Sequence, residues 1–345
     1  MPPIRVAIAG ATGYAGEELI RLLLQHPHIR LTYLAASAKW VHPTPAADVF
    51  PRFAGRLDLP VESLDPTRLA SSSDAVFLAL PHGESMRLVP SLLQAGKRVI
   101  DLGGDFRLKD PALYPRWYQF EHAAAQWLAH PDVAYGLTEF HREEIRRAKL
   151  VANPGCYATS VLLGCLPLLR AKLVEEDRVI VDAKSGVSGA GRKPETALLF
   201  TEMTENLRAY KVNEHPHMPE IAQEVRHVTG RTLRLGMVPQ VIPVARGLIS
   251  ALYLRTSAGP EAIREAFQSC YSPERTPFVR LRDETLPQLR DVVQTNACDI
   301  GWRLDASLQS LVVMSALDNL TKGAAGQAIQ NFNLMHGFPE TTALL

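Results

Sequence analysis

The sequence predicts an α/β protein of two domains: a doubly wound parallel sheet, followed by an α+β domain with a mixed sheet. The 345 residues, 46% of them apolar, can bury a large core, and a chain of this length forms two domains more often than one. As far as residue 152, strand-like and helical segments alternate, which is typical of a parallel sheet. After Cys156 strands are interleaved with only two or three helices, which indicates a second architecture.

Apolar runs and helical periods predict the elements of the first domain in order. Strands are predicted at 4–9, 31–36, 75–80, 98–101 and 150–152, and helices directly after the turn GATGYAG and at 84–95 and 139–149. Residues 40–66 and 106–134 are rich in proline, histidine and aromatic residues without a clear period. We therefore expect these two stretches to form long surface excursions.

The second domain is predicted from a helix at 157–169 and five strands, at 179–183, 233–237, 248–254, 300–304 and 311–315. A last helix at 320–334 could return to the first domain. The predicted domains are therefore residues 1–155 with 319–345, and residues 156–318.

Charge and cysteine usage exclude several classes of function. The 37 basic and 36 acidic residues nearly cancel without long runs of one sign, so no nucleic-acid or membrane surface is predicted and partners are expected to be small molecules. No run of about 18 apolar residues occurs that could span a membrane. The four cysteines have no CxxC spacing and the chain starts with a strand rather than a signal peptide, so we expect a cytoplasmic protein without a metal site.

The first strand leads into a glycine-rich turn that predicts a dinucleotide site. Gly10, Gly13 and Gly16 are spaced GxxGxxG, with a strand before them and a helix after them. Backbone N–H groups at such a helix start can hold a pyrophosphate, although tight strand-to-helix packing is an alternative reason for the glycines. The predicted cofactor contacts in this turn are Gly10, Thr12, Gly13, Tyr14, Ala15 and Gly16.

The end of the second strand indicates NADP rather than NAD. NAD enzymes usually carry an acidic residue there for the ribose 2′-hydroxyl, and this chain has none. Ser37 and Lys39 instead offer a donor and a positive charge that suit a 2′-phosphate, although Lys39 could equally be an ordinary surface lysine.

A second candidate ligand segment, DLGGDFRL, follows the strand that ends at Asp101. Gly103 and Gly104 would let a ligand approach the backbone closely. Arg107 is a candidate for gripping an anionic substrate, with a structural ion pair as the alternative.

Cys156, in NPGCYAT, is the predicted nucleophile. Pro154 and Gly155 interrupt any regular element, so Cys156 lies at or next to a helix N-terminus. The dipole of that helix favours an anion and lowers the pKa of a thiol. Cys165, Cys270 and Cys298 lie in apolar stretches, and we assign them no chemistry.

Five motifs together resemble the N-acetyl-γ-glutamyl-phosphate reductases, a family within the aspartate-semialdehyde dehydrogenase superfamily. They are GATGYAGEEL, DLGGDFRL, NPGCYAT, SGVSGAGR at 185–192 and HPHMPE at 215–220. The resemblance implies an NADP-binding Rossmann domain, a catalytic domain like that of glyceraldehyde-3-phosphate dehydrogenase, and a homo-oligomer, either dimer or tetramer. It also implies the reaction, NADPH-dependent reduction of an acyl phosphate to an aldehyde in arginine biosynthesis.

By the same resemblance, Cys156 is the nucleophile, His217 the acid/base and Glu220 its supporting carboxylate, with His215 as the competitor for the role of His217. The family usually has arginine where Pro216 stands and often has histidine where Gln240 stands, which puts contacts to the acyl chain in doubt. The further predicted site residues are Ser185, Gly186 and Asn319 for the cofactor, and Arg107, Asn153 and Arg246 for the substrate; a plain turn is the alternative for the segment around Ser185.

A thioester mechanism explains why these groups are needed. A thiolate can expel phosphate from an acyl phosphate, and the thioester then accepts a hydride and collapses to the aldehyde. Three alternatives stay open: a reductase for carrier-bound aminoadipyl phosphate in lysine biosynthesis, an aspartate-semialdehyde dehydrogenase, and a non-catalytic NADP-binding sensor. The sensor would have no reason to combine Cys156 with HPHMPE.

Overall fold

A computed structural model describes residues 2–175 and 178–345 and divides the chain into two compact units. The first unit comprises Met1–Pro154 and Ala324–Leu345, and the second comprises Gly155–Gly323. The predicted α/β class, with one mostly parallel and one mixed sheet, is confirmed.

The first unit is built around an eight-stranded sheet. Its strands are β1 Ile4–Ala9, β2 Ile29–Ala35, β3 Thr44–Pro45, β4 Pro60–Glu62, β5 Ala75–Leu78, β6 Arg98–Asp101, β7 Val133–Tyr135 and β8 Leu150–Ala152. Its helices before residue 155 are α1 Tyr14–Leu23, α2 Ala46–Val49, α3 Pro66–Ser71, α4 Ser85–Gln94, α5 Tyr114–Tyr118 and α6 Thr138–Arg147. The strand order is β3-β4-β2-β1-β5-β6-β8-β7, and only β3 runs antiparallel to its neighbour. After β1 the chain moves to one side of the sheet and after β4 to the other, so β1 and β5 flank the point where the winding reverses.

The second unit is built around a seven-stranded mixed sheet. Its strands are β9 Arg178–Gly186, β10 Arg208–Ala209, β11 Arg234–Ile242, β12 Leu248–Arg255, β13 Val279–Leu281, β14 Cys298–Asp305 and β15 Ser310–Leu317. Its helices are α7 Cys156–Arg170, α8 Phe200–Met203, α9 His217–Thr229, α10 Pro260–Cys270 and α11 Leu289–Val292. The strand order is β10-β11-β9-β12-β15-β14-β13. Residues 157–169 of α7 are all buried, as a helix that is apolar on every side requires.

The chain returns to the first unit through a π-helical turn, Thr321–Ala325, and a helix, α12 Gly326–Met335. The predicted helix at 320–334 covers both. Side chains of α12 are buried amides as well as apolar groups: Gln327 donates to the Gly136 carbonyl at 2.8 Å and to the Thr138 hydroxyl at 2.7 Å. These hydrogen bonds fix α12 within the first unit.

The expectation that 106–134 forms a surface excursion is wrong. Phe106, Leu108, Tyr114 and Leu128 are buried there and pack in the same core cluster as the apolar side chains of β5 and β6. Their burial follows from aromatic packing without any regular period, as in the ring stack of Tyr114 and Tyr118 at 5.4 Å. The stretch 40–66 also differs from expectation, because it contributes β3 and β4 to the sheet.

Candidate active site

The glycine-rich turn after β1 is shaped by backbone contacts that leave no room for a side chain at Gly10 or Gly16. Gly10 has φ +84°, and a Cβ there would lie 2.1 Å from the Ala79 carbonyl oxygen. A Cβ on Gly16 would lie 2.2 Å from the Gly10 carbonyl oxygen. Gly13 caps α1, so the first N–H groups of this helix point out of the turn. The turn therefore fits a pyrophosphate, which needs close approach to bare main chain.

The other predicted cofactor residues of the first unit lie within this turn or shortly after β2. Thr12, Gly13, Tyr14 and Ala15 are half-buried. Ser37 and Lys39 follow β2 and are exposed, within a short turn in which the Trp40 N–H donates to the Ser37 carbonyl at 3.0 Å. The N–H groups of Gly10 and Ala11 donate to the carbonyl of Ala35, the last residue of β2, at 2.8 and 2.9 Å. The segment of Ser37 and Lys39 thus starts beside the glycine-rich turn.

Arg107 and Asn153 are buried and bonded within the first unit. Arg107 donates from Nε to the Asn153 carbonyl and from Nη2 to the Leu102 carbonyl, both at 2.8 Å. The Asn153 amide donates to the Ala324 carbonyl at 3.1 Å and accepts from Asn331 at 3.0 Å. Both predicted substrate residues thus hold the backbone that leads to Cys156, and for Arg107 a structural role is the alternative that the sequence leaves open.

Cys156 is the first residue of α7 and is half-buried. Gly155 caps the helix with extended backbone, at φ −68° and ψ 150°. The first-turn N–H groups of any helix have no acceptor within the helix, so the thiol lies where an anion is favoured. A Cβ on Gly323 would lie 2.8 Å from the Cys156 Cβ, so the chain passes close to this residue.

His217 and Glu220 lie on one face of α9 and both reach Gly155. A Cβ on Gly155 would lie 2.1 Å from His217 Nε2, so the imidazole rests against the bare Cα of the residue before Cys156. The fully buried Glu220 accepts the Gly155 N–H through Oε1 at 2.9 Å. The three predicted catalytic residues, Cys156, His217 and Glu220, are therefore brought together around Gly155.

His215 lies behind His217. Its Nδ1 accepts the His217 backbone N–H at 3.2 Å, and the two rings are 4.5 Å apart. Pro216 directly precedes the first residue of α9, where the fixed φ of proline suits a helix start. His215 is thus arranged to orient the start of the helix that carries His217.

Two tyrosines complete the surroundings of Cys156, and sequence reasoning did not single them out. The Tyr210 hydroxyl donates to the Tyr157 hydroxyl at 3.4 Å, which donates to the Gln240 carbonyl at 3.4 Å. Burial raises the pKa of Tyr210 to about 12, with a smaller contribution from the nearby charge of Cys156. Tyr157 follows the nucleophile directly, but Tyr210 lies in an aperiodic stretch with no signal that could have identified it.

The amide of Gln240 points away from this cluster. It donates to the Asp182 carboxylate at 2.6 Å, and Asp182 also pairs with Lys184. The departure from the family at this position therefore changes the surface of the sheet, whereas the contact to Tyr157 uses the backbone carbonyl alone.

The loop after β9 is held by Asn319. Its Oδ1 accepts the Gly247 N–H at 2.8 Å and its Nδ2 donates to the Ser188 hydroxyl at 3.0 Å. Ser185 is buried and donates to the Gly186 carbonyl at 3.2 Å. The three predicted residues Ser185, Gly186 and Asn319 thus belong to one loop cluster of the second unit.

Arg246 pairs with the fully buried Asp318, a residue that sequence reasoning missed. The Nε to Oδ2 distance is 3.0 Å and the Nη2 to Oδ1 distance is 3.1 Å, and Nη2 also donates to the Thr321 hydroxyl at 2.9 Å. A two-point pair of this kind fixes the plane of the guanidinium. The only sign of Asp318 in the sequence is that an acidic residue follows the end of an apolar strand.

The other cysteines are unsuited to nucleophilic chemistry or carry no sign of it. Cys165 is fully buried, and burial raises its pKa to about 12. Cys298 is buried against the Ser315 hydroxyl at 3.3 Å. Cys270 is half-buried at the end of α10, with no sign of nucleophilic chemistry around it.

In residues 2–175 and 178–345, no helix is long and apolar enough to cross a bilayer. The same ranges contain no group of three or more His, Cys, Asp or Glu side chains arranged to hold a metal ion.

Comparison with known proteins shows similarity over nearly the whole chain. Family models for the semialdehyde dehydrogenase NAD binding domain and the semialdehyde dehydrogenase dimerisation domain match residues 5–148 and 156–319. The chain is 46% identical over 344 residues to an N-acetyl-gamma-glutamyl-phosphate reductase of Syntrophobacter fumaroxidans, with 99% of this chain and 98% of that protein covered. It is 45% identical to the protein of the same name from Pelotomaculum thermopropionicum, with 99% and 97% covered.

Solved structures share the fold at lower identity. Aspartate semialdehyde dehydrogenase II from Vibrio cholerae, complexed with ASA, matches with a TM-score of 0.71 at 20% identity and covers 98% of this chain and 99% of its own. The Candida albicans enzyme with NADP matches with a TM-score of 0.70 at 17% identity, with 97% and 98% covered.

Proposed function

The chain belongs to the family of N-acetyl-gamma-glutamyl-phosphate reductases, and on that premise we propose that it reduces N-acetyl-glutamyl 5-phosphate to N-acetyl-glutamate 5-semialdehyde, with release of phosphate. It is an NADP-dependent oxidoreductase of arginine biosynthesis. The observation that carries the proposal is the cluster of Cys156, His217 and Glu220 around Gly155, because an acyl-phosphate reductase needs a nucleophile beside a proton carrier.

In the first step the Cys156 sulfur attacks the acyl carbonyl. The carbon–sulfur bond forms as the bond to the phosphate oxygen breaks, so phosphate leaves and a thioester remains. The start of α7 stabilises the thiolate, and His217 accepts the thiol proton. Glu220 holds the Gly155 N–H and so fixes the backbone turn that presents the sulfur.

In the second step the thioester becomes an aldehyde. When bound, NADPH supplies the hydride that reduces the thioester carbon. N–H groups at the start of α7 stabilise the negative oxygen of the resulting thiohemiacetal, which expels the Cys156 thiolate as the aldehyde forms. His217 passes the thiol proton to the departing phosphate and returns a proton to the Cys156 thiolate once the aldehyde has left, since the ordinary pKa of histidine, about 6.5, lies near working pH.

The remaining predicted residues receive supporting roles. Residues 1–155 with 319–345 bind the cofactor and residues 156–318 carry the chemistry. The glycine-rich turn binds the pyrophosphate of NADPH, and Ser37 and Lys39 bind the 2′-phosphate. Arg246, held by Asp318, binds the substrate carboxylate, whereas Arg107 and Asn153 act through the backbone that they support.

A homo-oligomer and a cytoplasmic location are part of the proposal. One face of the second-unit sheet is buried, but the other presents Ile180, Tyr253 and Val312 side by side in the strand register, beside a row of Asp182, the buried Ala251 and Met314. Ile180 and Tyr253 are 40% and 45% exposed. An apolar sheet face of this extent favours pairing with a second copy. Sedimentation of the Tyr253→Lys variant tests this, and an unchanged mass would contradict it.

The decisive experiment is a reductase assay of the purified protein with NADPH and three synthetic acyl phosphates. N-acetylglutamyl phosphate should be reduced with the highest kcat/KM. Preference for aspartyl phosphate would identify an aspartate-semialdehyde dehydrogenase, and preference for carrier-bound aminoadipyl phosphate a lysine-pathway enzyme. NADPH binding without turnover of any of the three would leave a non-catalytic sensor.

A further inference from the structure

The cofactor crevice of the first unit has a second wall, formed by the loop after β5. β1 and β5 are adjacent parallel strands at the point where the winding of the sheet reverses, and ligands of such sheets bind beyond the carboxyl ends of these strands. The Ala79 N–H donates to the Ala9 carbonyl at 2.8 Å, and Gly10 approaches the Ala79 carbonyl more closely than any Cβ would allow. Residues 79–84 therefore lie directly beside the glycine-rich turn.

A buried carboxylate fixes the conformation of this loop. Asp105 is fully buried, and its Oδ1 accepts the Gly83 N–H at 2.8 Å while its Oδ2 accepts the Met86 N–H at 2.9 Å. Gly83 has φ +90°, a conformation that the loop needs in order to present its N–H in this direction. Asp105 thus holds the end of the loop and the start of α4 at two points.

Two further contacts link the loop and the start of α4 to the end of β6 and the segment after it. The Ser85 hydroxyl donates to Asp101 Oδ1 at 2.7 Å, and the Gly103 N–H donates to the same oxygen at 2.9 Å. The Gly104 N–H donates to His82 Nδ1 at 2.9 Å. Together with the contacts of Asp105, these hydrogen bonds tie residues 82–86 to residues 101–105.

Burying the carboxyl groups of Asp101 and Asp105 reduces the stability of the fold, which indicates that their contacts to the loop are needed. The pKa of Asp105 is raised by burial, and the pKa of Asp101 is raised to about 7 by burial and by the charge of Asp105. Two carboxyl groups buried close together are unfavourable unless their contacts are needed. An apolar pair would fill the space but could not accept the N–H groups of the loop.

We propose that Asp105 is a positioning residue for NADPH binding, acting through the loop at residues 79–84, whose shape it fixes as the second wall of the cofactor crevice. The inference rests on the proposed function, since it takes NADPH to be the occupant. Asp105 does not itself touch the cofactor. It sets the direction of the loop's backbone groups, while the hydrogen bond from Ser85 to Asp101 holds the start of α4, which follows the loop, against the end of β6.

The test is direct titration of the full-length Asp105→Asn protein with NADPH, with protein fluorescence as the readout of binding. Asparagine can accept one N–H through its oxygen, but its amide group faces the other N–H, so one end of the loop is released. The dissociation constant for NADPH should rise about tenfold, as expected for the loss of a hydrogen bond to a charged group. The KM for the acyl phosphate should stay unchanged.

Asp74→Asn is the matched control. Asp74 precedes β5 at the opposite end of the same strand, where it accepts from the Arg5 backbone N–H at 3.0 Å and from its guanidinium at 2.7 Å. This variant should lower the melting temperature without changing NADPH affinity. Should Asp105→Asn match this behaviour, with a lower melting temperature and an unchanged dissociation constant, Asp105 is merely structural and the inference is overturned.

Ser85→Ala is the second variant, for use if Asp105→Asn does not fold. It removes the hydroxyl that joins α4 to Asp101 and should weaken NADPH binding about threefold. Unchanged affinity in this variant would also overturn the inference. A wild-type protein that fails to bind NADPH would overturn the proposed function as well, so the two failures are distinguishable.

Discussion

The two candidate sites of the molecule differ in the groups that form them: backbone groups form one, and side chains form the other. The glycine-rich turn of the first unit uses bare main chain within seven consecutive residues, and the atom nearest to a Cβ on each glycine there is a backbone carbonyl oxygen. The cluster of the second unit uses side chains from residues 156, 210 and 215–220, and the close approach at Gly155 is to an imidazole. A contiguous backbone site can be recognised from spacing alone, whereas a site of converging side chains becomes visible only after folding.

The largest expected effect comes from the nucleophile. Cys156→Ser should lose reductase activity by at least about 10³-fold while NADPH affinity stays unchanged, because the hydroxyl lacks the acidity of the thiol. Wild-type protein mixed with acyl phosphate in the absence of NADPH should gain one acyl group per site by intact-protein mass measurement. An adduct on Cys165, Cys270 or Cys298 would remove the side-chain cluster from the mechanism.

The next largest effect separates the two histidines. His217→Asn should reduce kcat by about 10² to 10⁴-fold, the usual contribution of a positioned acid/base. His215→Asn should act more weakly, because its described contact is to the His217 backbone N–H. Steady-state kinetics of both variants measures this, and the reverse order would show that the roles are exchanged.

A pair of glycine-to-alanine variants tests the comparison itself. In Gly155→Ala the new Cβ meets the movable His217 ring, so kcat should fall about 100-fold while NADPH affinity and melting temperature change little. In Gly10→Ala the new Cβ meets the Ala79 carbonyl, and the backbone φ of +84° at residue 10 is unfavourable for alanine. Both the affinity for NADPH and the melting temperature should therefore fall. If both variants lose NADPH affinity equally, the distinction between backbone and side-chain sites fails.

Cofactor choice should depend on side chains even in the backbone-built site. Lys39→Ala should reduce the preference for NADPH over NADH, expressed as the ratio of kcat/KM values, by about tenfold, because the charge facing the 2′-phosphate is lost. Lys97→Ala is the control, because Lys97 donates to the Ser73 carbonyl at 2.8 Å and should have no contact with the cofactor. A variant at position 39 that keeps the full preference would place the discriminating group elsewhere.

The smallest effect concerns Asp101 and pH. Its pKa is raised from 3.8 to about 7, so the folded state holds a proton that the unfolded state releases near pH 4. The contribution of this group to stability is complete below pH 4 and is lost as the pH rises through 7. Asp101→Asn mimics the neutral form, so its melting temperature relative to wild type should be a few degrees higher at about pH 8 than at about pH 5. Calorimetry measures both melting temperatures at each pH. The same difference between variant and wild type at both pH values would contradict the prediction.

The regular part of the fold was predictable because it rests on local pattern. Strands at 4–9, 98–101 and 150–152 are found as predicted, since each is a short apolar run in a buried parallel sheet. Residues 106–134 were not predictable, because their aromatic side chains pack by shape rather than by period. The two-residue strand β10 is defined only by its pairing with β11.

In the second site, the sequence allowed prediction only of residues that belong to recognisable motifs. Cys156 was placed at a helix start by the helix breakers before it, and the structure has α7 beginning there. Asp318 and Tyr210 were missed, because their partners lie 72 and 53 residues away in the chain and no local signal marks them. The roles of all these residues stay predictions until the variants above are measured.

The return of α12 to the first unit has a consequence for how the protein is made. The ribosome completes residues 155–323, an entire unit, before residues 324–345 emerge. Until then the first unit lacks Gln327 and Asn331, which satisfy the Gly136 carbonyl in its interior. We therefore expect the nascent amino-terminal segment to remain incompletely folded and dependent on chaperones, while the later-synthesised unit can reach its native state first.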